Sequence, residues 1–125
     1  MTDATSTKNY VFVFGSNLAG RHGAGAALDA YRYWGAQYGA GVGPTGRAYA
    51  IPTKDAHLKT LALPVIKSYV RDFIEYASQH THLTFEVTRI GCGLAGYTDQ
   101  QIAPFFHDAP ENCLLPVGWR PPASP

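Results

Sequence analysis

The chain has 125 residues, of which 46% are apolar and 15% charged, with a formal charge of +1. That length builds one domain around a real core, and the composition excludes a disordered tail. The near-neutral balance offers no extended face for long nucleic acid, and no apolar run reaches the length of a membrane span.

In chain order, residues 1–9 are small and polar, which reads as a flexible start without the pattern of a signal peptide. "NYVFVFG" predicts a buried strand, because Val11, Phe12, Val13 and Phe14 leave no face for water. A glycine-rich loop follows. From Gly25, the residues Ala27, Leu28, Tyr31, Trp34 and Tyr38 recur at helical spacing, which predicts a helix over 25–38, ended by the glycines of "YGAGVGPTGR". "AYAIPT" predicts a second strand with Pro52 at its end, where a missing N–H does least harm. Over 63–79, Ile66, Tyr69, Val70, Phe73, Ile74 and Ala77 form one stripe of a helix. "LTFEVTRIG" alternates as a strand, and a second glycine loop, "GCGLAGY", follows it. "TDQQIAPFFHDA" opens with Thr98 and Gln101 at capping-box spacing, with Pro104 set awkwardly inside the helix. "NCLLPV" reads as a last strand and residues 118–125 as a tail, so the domain spans 10–117. Trp34, Phe73 and Phe105 read as core. Strand–helix alternation of this kind predicts an α/β fold with a mainly parallel sheet and helices on both faces. Cys92 and Cys113 fit no zinc or redox spacing, which points to a reduced, cytoplasmic chain.

In such sheets a ligand sits beyond the carboxyl ends of the strands. The loops Gly15 to Gly25 and Gly91 to Gly96 both leave strands at that edge, and so does "IPTKD". Glycines let backbone amides approach a ligand, and amides beside a helix start attract phosphate oxygens. Two such cradles facing each other suit a diphosphate. Gly15 and Gly20 imitate the frame of a P-loop, but Arg21-His22 stands where Lys and a hydroxyl are required. The turn after the first strand carries no G-x-G-x-x-G either. Taken as bare residues, Lys54 is an exposed loop lysine, Asp55 a turn or cap residue, Asn17 a turn former and Tyr97 a packing residue. Cys92 at a helix start reads as a packed thiol or a somewhat acidic one. His22 and Cys92 are two metal ligands without a third, so no metal is expected.

"SNLAGRHGAGAA", "AIPTKD" and "IGCGLAGY" together resemble the ligand loops and intervening strand of macrodomains, the ADP-ribose-binding modules. The resemblance is closest to the branch that holds terminal ADP-ribose protein glycohydrolase and the antitoxin that strips ADP-ribose from DNA. It covers nearly all of residues 10–117. It implies a three-layer α/β/α fold, no cofactor, and ADP-ribose as ligand, free or carried on DNA, a nucleoside or a protein side chain. It implies that Gly23, Ala24, Gly25 and Ala26 line the diphosphate and distal ribose, and that Gly91, Cys92, Gly93, Leu94, Ala95 and Gly96 wrap the other side. Gly15, Ser16, Arg21 and His22 belong to the first loop, while Thr53 and Ile90 precede the other two segments. Asn17 would hydrogen-bond the distal ribose, and Tyr97 would cover it. Lys54 would be the catalytic amine at the anomeric carbon, with Asp55 as its acid or base partner and His57 and Asp99 as further candidates. The chain departs from the pattern twice. Ala95 stands where the glycohydrolase carries an aspartate, although DNA-directed relatives carry glycine there and keep the lysine. The earlier strand whose aspartate reads adenine has no counterpart, since only nine residues precede the first strand. Three readings follow: an ADP-ribosyl hydrolase, a non-catalytic module that binds or sequesters an ADP-ribose derivative, and a nucleotide-binding protein unrelated to ADP-ribose.

Overall fold

The computed structural model describes residues 9–121, so the expected flexible start and the end of the expected tail lie outside the described residues. Asn9, counted with that start, is tied in: its carbonyl accepts the Thr84 N–H at 2.9 Å. The elements are β1 (Tyr10–Asn17), α1 (Gly25–Tyr33), β2 (Gly43–Thr45), β3 (Ala48–Lys54), α2 (Leu63–Ser78), β4 (Thr84–Val87), α3 (Asp99–Ile102) running into a 3-10 turn (Ala103–Phe106), and β5 (Cys113–Leu114). They build an α/β fold on a five-stranded sheet of order β2-β3-β1-β4-β5. Every pairing is parallel except that of β2 with β3.

From β1 the chain crosses to β3 on one side, then returns over β1 to β4. Right-handed crossovers in opposite directions put α1 and α2 on opposite faces of the sheet. The alternation along each strand agrees. Val11, Val13, Tyr49 and Ile51 pack on one face with Ile66, Val70, Phe73 and Ala77 of α2. Phe14, Ala48 and Ala50 pack on the other with Ala27 and Ala30 of α1, and Phe12 lies against them. Phe73 is fully buried as expected, while Trp34 and Phe105 are half-buried against these clusters.

Four local expectations change. First, α1 stops at Tyr33. Trp34 leaves the helix to stack on Phe12 at 5.2 Å, and Gly35 follows in the left-handed region at φ +78°. Tyr38 therefore leaves the helical stripe and tilts against His22 at 5.5 Å. Second, residues 43–45 form an extra antiparallel edge strand, which a Gly-Pro-Thr run does not announce. Third, Pro52 sits inside β3 rather than at its end. It pairs with Ser16 on one side, and β2 covers only Ala48 to Ala50, so its other edge is open. Fourth, the segment read as a tail contributes Trp119, which is fully buried against Phe106 at 5.3 Å. Among the described residues no helix is long and apolar enough to cross a membrane.

The segment after α1 supports the loop after β1 from below. The Ser16 hydroxyl donates to Gly41 O, and Gly39 N–H donates to Gly20 O at 2.9 Å. The approach is so close that a Cβ on Gly41 would lie 2.1 Å from Asn17 O. Backbone cannot yield as a flexible side chain does, so Gly41→Ala is expected to cost about 3 kcal/mol by overpacking. Urea denaturation checks this; a variant as stable as the parent would show that the support is loose.

Candidate functional site

Because β1 has parallel neighbours on both sides, β1, β3 and β4 deliver their carboxyl ends to one edge. Little space separates them: a methyl added to Gly15 would sit 3.6 Å from both Gly91 N, in the loop after β4, and the Thr53 side chain. A cleft of about 880 Å³ opens from this edge. Residues 23–26 of the first loop and 91–95 of the second line it, with Gly15, Ser16, Asn17 and Arg21 beneath the first and Thr53 and Lys54 between the two.

Main-chain groups contribute to the polar character of the cleft. α1 begins at Gly25, which takes φ +58°, and its N-cap Ala24 offers no side-chain acceptor. The N–H groups of residues 24–27 find no acceptor among the described residues. The second loop folds back on itself through Tyr97 N–H to Gly91 O at 2.9 Å and Gly96 N–H to Gly93 O at 3.0 Å. The N–H groups of residues 93–95 are left without an acceptor among the described residues. Unpaired amides at a helix start, opposed by amides of a second loop, are suited to an oxyanion. The charged side chains that line the cleft agree: Arg21, Lys54 and Arg89 are cations, and no Asp or Glu lines it among the described residues.

Lys54 is half-buried at the end of β3. Its carbonyl accepts Leu18 N–H at 2.9 Å, and it bridges to Thr60. Among the described residues its ammonium makes no ion pair. Asp55, expected as its acid or base partner, is committed elsewhere. One carboxylate oxygen accepts His57 N–H at 2.8 Å and Lys59 N–H at 3.0 Å, and Asp55 does not line the cleft. The Lys59 amide foremost, with that of His57, holds the carboxyl below its ordinary value. Asp55 is a turn former. The turn it closes sets Leu58 in the cleft wall at φ +64°, a conformation that costs an L-residue about 1–2 kcal/mol.

Several other expected residues serve the scaffold. His22 is fully buried under the first loop, its Nε2 bonded to Gln37 O at 2.8 Å and its ring edge-on to Phe14. Ile90 is core, Gly96 closes the second loop, and the Tyr97 hydroxyl donates to Leu61 O at 2.7 Å. Asn17 lines the cleft but spends its amide on Arg21, donating to its carbonyl at 2.8 Å and accepting its N–H at 3.0 Å. Cys92 also lines the cleft. Burial first, then Asp99, pushes its thiol up, so it is a packed thiol rather than an acidic one. Cys113, likewise free, is pushed up to about 11 by burial. Among the described residues no three His, Cys, Asp or Glu side chains come together to hold a metal ion.

Sequence reasoning missed Ala27, Tyr38, Leu58, Thr88 and Arg89, all of which line the cleft. Arg89 is aimed by Asp99, which takes its Nε at 3.0 Å and its second guanidinium nitrogen at 2.8 Å. Asp99 is fixed in turn by Trp119 Nε1 at 3.0 Å. That tryptophan, then Arg89, holds the Asp99 carboxyl below its ordinary value, so the other acid candidate is an ion-pair partner. No family model, curated protein or solved structure matches the chain.

A depressed native carboxyl stabilises the fold above the unfolded value of 3.8 and loses that contribution as pH falls through the native one. Asp99→Asn keeps the acceptor for Trp119 but not the charge. Thermal melts at about pH 6 and pH 2.5 are expected to show a smaller pH-dependent drop in Tm for the variant than for the parent. Equal drops would mean that the Asp99 charge does not stabilise the native state.

Proposed function

We propose that the chain is an ADP-ribosyl glycohydrolase built as a three-layer macrodomain. It would bind ADP-ribose between its two glycine loops and release it from a modified nucleic acid or protein. The observation that carries this reading is the convergence of residues 23–26, residues 91–95 and Lys54 on one cleft of about 880 Å³. That volume falls in the usual range for small-molecule sites. In this reading the unpaired amides of residues 24–27 and 93–95 hold the diphosphate from opposite sides, and Arg21 and Arg89 add charge. The distal ribose then lies at Lys54.

The chemistry follows from what an amine does at an anomeric carbon. The bond from that carbon to the carrier breaks with oxocarbenium character, and its electron pair goes to the leaving group, which takes a proton from water. The neutral lysine amine bonds to that carbon and gives up a proton, and the carbon's bond to the ring oxygen then breaks, the oxygen taking a proton, to leave an imine. Water then hydrolyses the imine, restoring the amine and freeing ADP-ribose. The lack of an ion pair on Lys54 among the described residues favours this role, since a carboxylate partner would stabilise the ammonium.

A second reading, a binding or sequestering module without turnover, is favoured by a different observation. No Asp or Glu lines the cleft among the described residues, and Asp55 and Asp99 are both engaged elsewhere. Incubating the parent and Lys54→Ala with ADP-ribosylated DNA and ADP-ribosylated protein separates the two. Hydrolysis predicts release of ADP-ribose that falls on the order of a thousandfold in Lys54→Ala. Binding of ADP-ribose without release from either carrier would select the second reading for those linkages. Binding itself is tested at Gly93, where a Cβ meets nothing within 4 Å and a side chain is therefore tolerated by the fold. Gly93→Glu puts a carboxylate against the diphosphate and is expected to weaken ADP-ribose by about 100-fold in calorimetry. Unchanged affinity would remove the second loop from the site.

A further inference from the structure

One residue of the cleft wall is held in a conformation that its side chain disfavours. Residues 53–61 form a hairpin in which Leu61 N–H donates to Thr53 O at 2.8 Å and Asp55 N–H donates to Lys59 O at 2.8 Å. Within it, Leu58 N–H donates to Asp55 O at 3.1 Å and Leu58 turns to φ +64°. This is a tight loop whose last residue is left-handed, a position suited to glycine or asparagine. Among the described residues, Leu58 is alone in having a positive φ without being glycine. The Asp55 carboxylate, bonded to the amides on either side of it, clamps the turn around Leu58.

Leu58 belongs to neither core cluster, so the strain adds nothing to the packing of the fold. Its side chain lines the cleft close in sequence to Lys54, at 46% exposure. From the second loop, Leu94 lines the same cleft at 76% exposure. Thr60 Oγ1 donates to Ala95 O at 3.0 Å and ties the two loops together. A strained backbone that displays an apolar side chain to water is a feature of ligand-contacting segments.

We infer that Leu58 and Leu94 form an apolar lip beside Lys54 that receives the group attached to the sugar, and that this lip selects an uncharged, flat carrier over a cationic one. The inference rests on the reading above, because with the anomeric carbon at Lys54 the carrier lies beyond it. A neutral ring buries its faces against two leucines. A guanidinium or ammonium carrier meets Arg21, Lys54 and Arg89 and no acid among the described residues. Asp55 is then a positioning residue that acts through Leu58.

Calorimetry on the Lys54→Ala background, where hydrolysis does not intervene, tests this with three probes: free ADP-ribose, its phenyl glycoside and its arginine conjugate. The phenyl glycoside is expected to bind about 10-fold more tightly than the arginine conjugate. Leu58→Gly, and separately Leu58→Asn, should weaken the phenyl glycoside and leave the arginine conjugate unchanged, cutting the preference to the part that Arg21 and Arg89 set by charge. Both should change the affinity for free ADP-ribose by less than about twofold, with no loss of Tm, since either residue accepts the left-handed backbone. A phenyl glycoside that binds as tightly in both variants as with Leu58 intact overturns the lip. So does an equal weakening of free ADP-ribose, which would put Leu58 against ADP-ribose itself. If free ADP-ribose fails to bind even with Leu58 intact, and also fails to bind the parent chain, the functional reading falls and the lip falls with it.

Discussion

Parallel pairing of β1 with both β3 and β4 is the constraint on which the rest of the structure depends. Two parallel neighbours send three strand ends to one edge, where a methyl added to Gly15 would meet Gly91 and Thr53 at van der Waals distance. The Val13 carbonyl secures the β4 side, accepting Thr88 N–H at 3.0 Å and Thr88 Oγ1 at 2.7 Å. Beyond that point the loops diverge, one to α1 on one face and one to α3 on the other. The cleft is the space between loops that must part.

Most polar side chains near the cleft are already satisfied inside the protein. Ser16 bonds to Gly41, Asn17 to Arg21, Asp55 to the turn that follows it, and Tyr97 to Leu61. The unpaired capacity that lines the cleft therefore includes main-chain N–H, with Arg21, Lys54 and the Asp99-paired Arg89 around it. Such a site attracts negative charge without specifying a base or a carrier, since amides read phosphate oxygens and little else. Specificity has to come from the walls, where Tyr38, Leu58 and Leu94 stand. Through Asp99 and Arg89, Trp119 connects the far end of the described chain to the cleft, although it is not itself among the residues that line it.

Much of this was legible in the residues. The unbroken apolar run of β1, the stripe of α2 and the two glycine loops each carry a periodicity or composition that local physics dictates. The placement of both loops and Lys54 at one edge followed from strand–helix alternation alone. Other features depend on contacts that a sequence does not display. Trp34 continues the helical spacing, yet stacking on Phe12 draws it out of the helix. Trp119 stands among prolines and glycine with no period to mark it as core. Thr88 and Arg89 read as strand because apolar Ile90 follows, whereas the ladder ends at Val87. Asp55 beside Lys54 suggests an acid or base partner, but an aspartate two residues before a free amide closes a turn instead. A leucine at a left-handed position is the least readable of all, because nothing in its identity suggests that conformation.

The proposed grip of opposed main-chain amides on one pyrophosphate is tested most directly by amide NMR of the labelled protein titrated with ADP-ribose. The largest shifts are expected together in residues 24–27 and 93–95, with one binding curve fitting both sets. Shifts confined to one loop, or none at millimolar ligand, would contradict the two-sided grip.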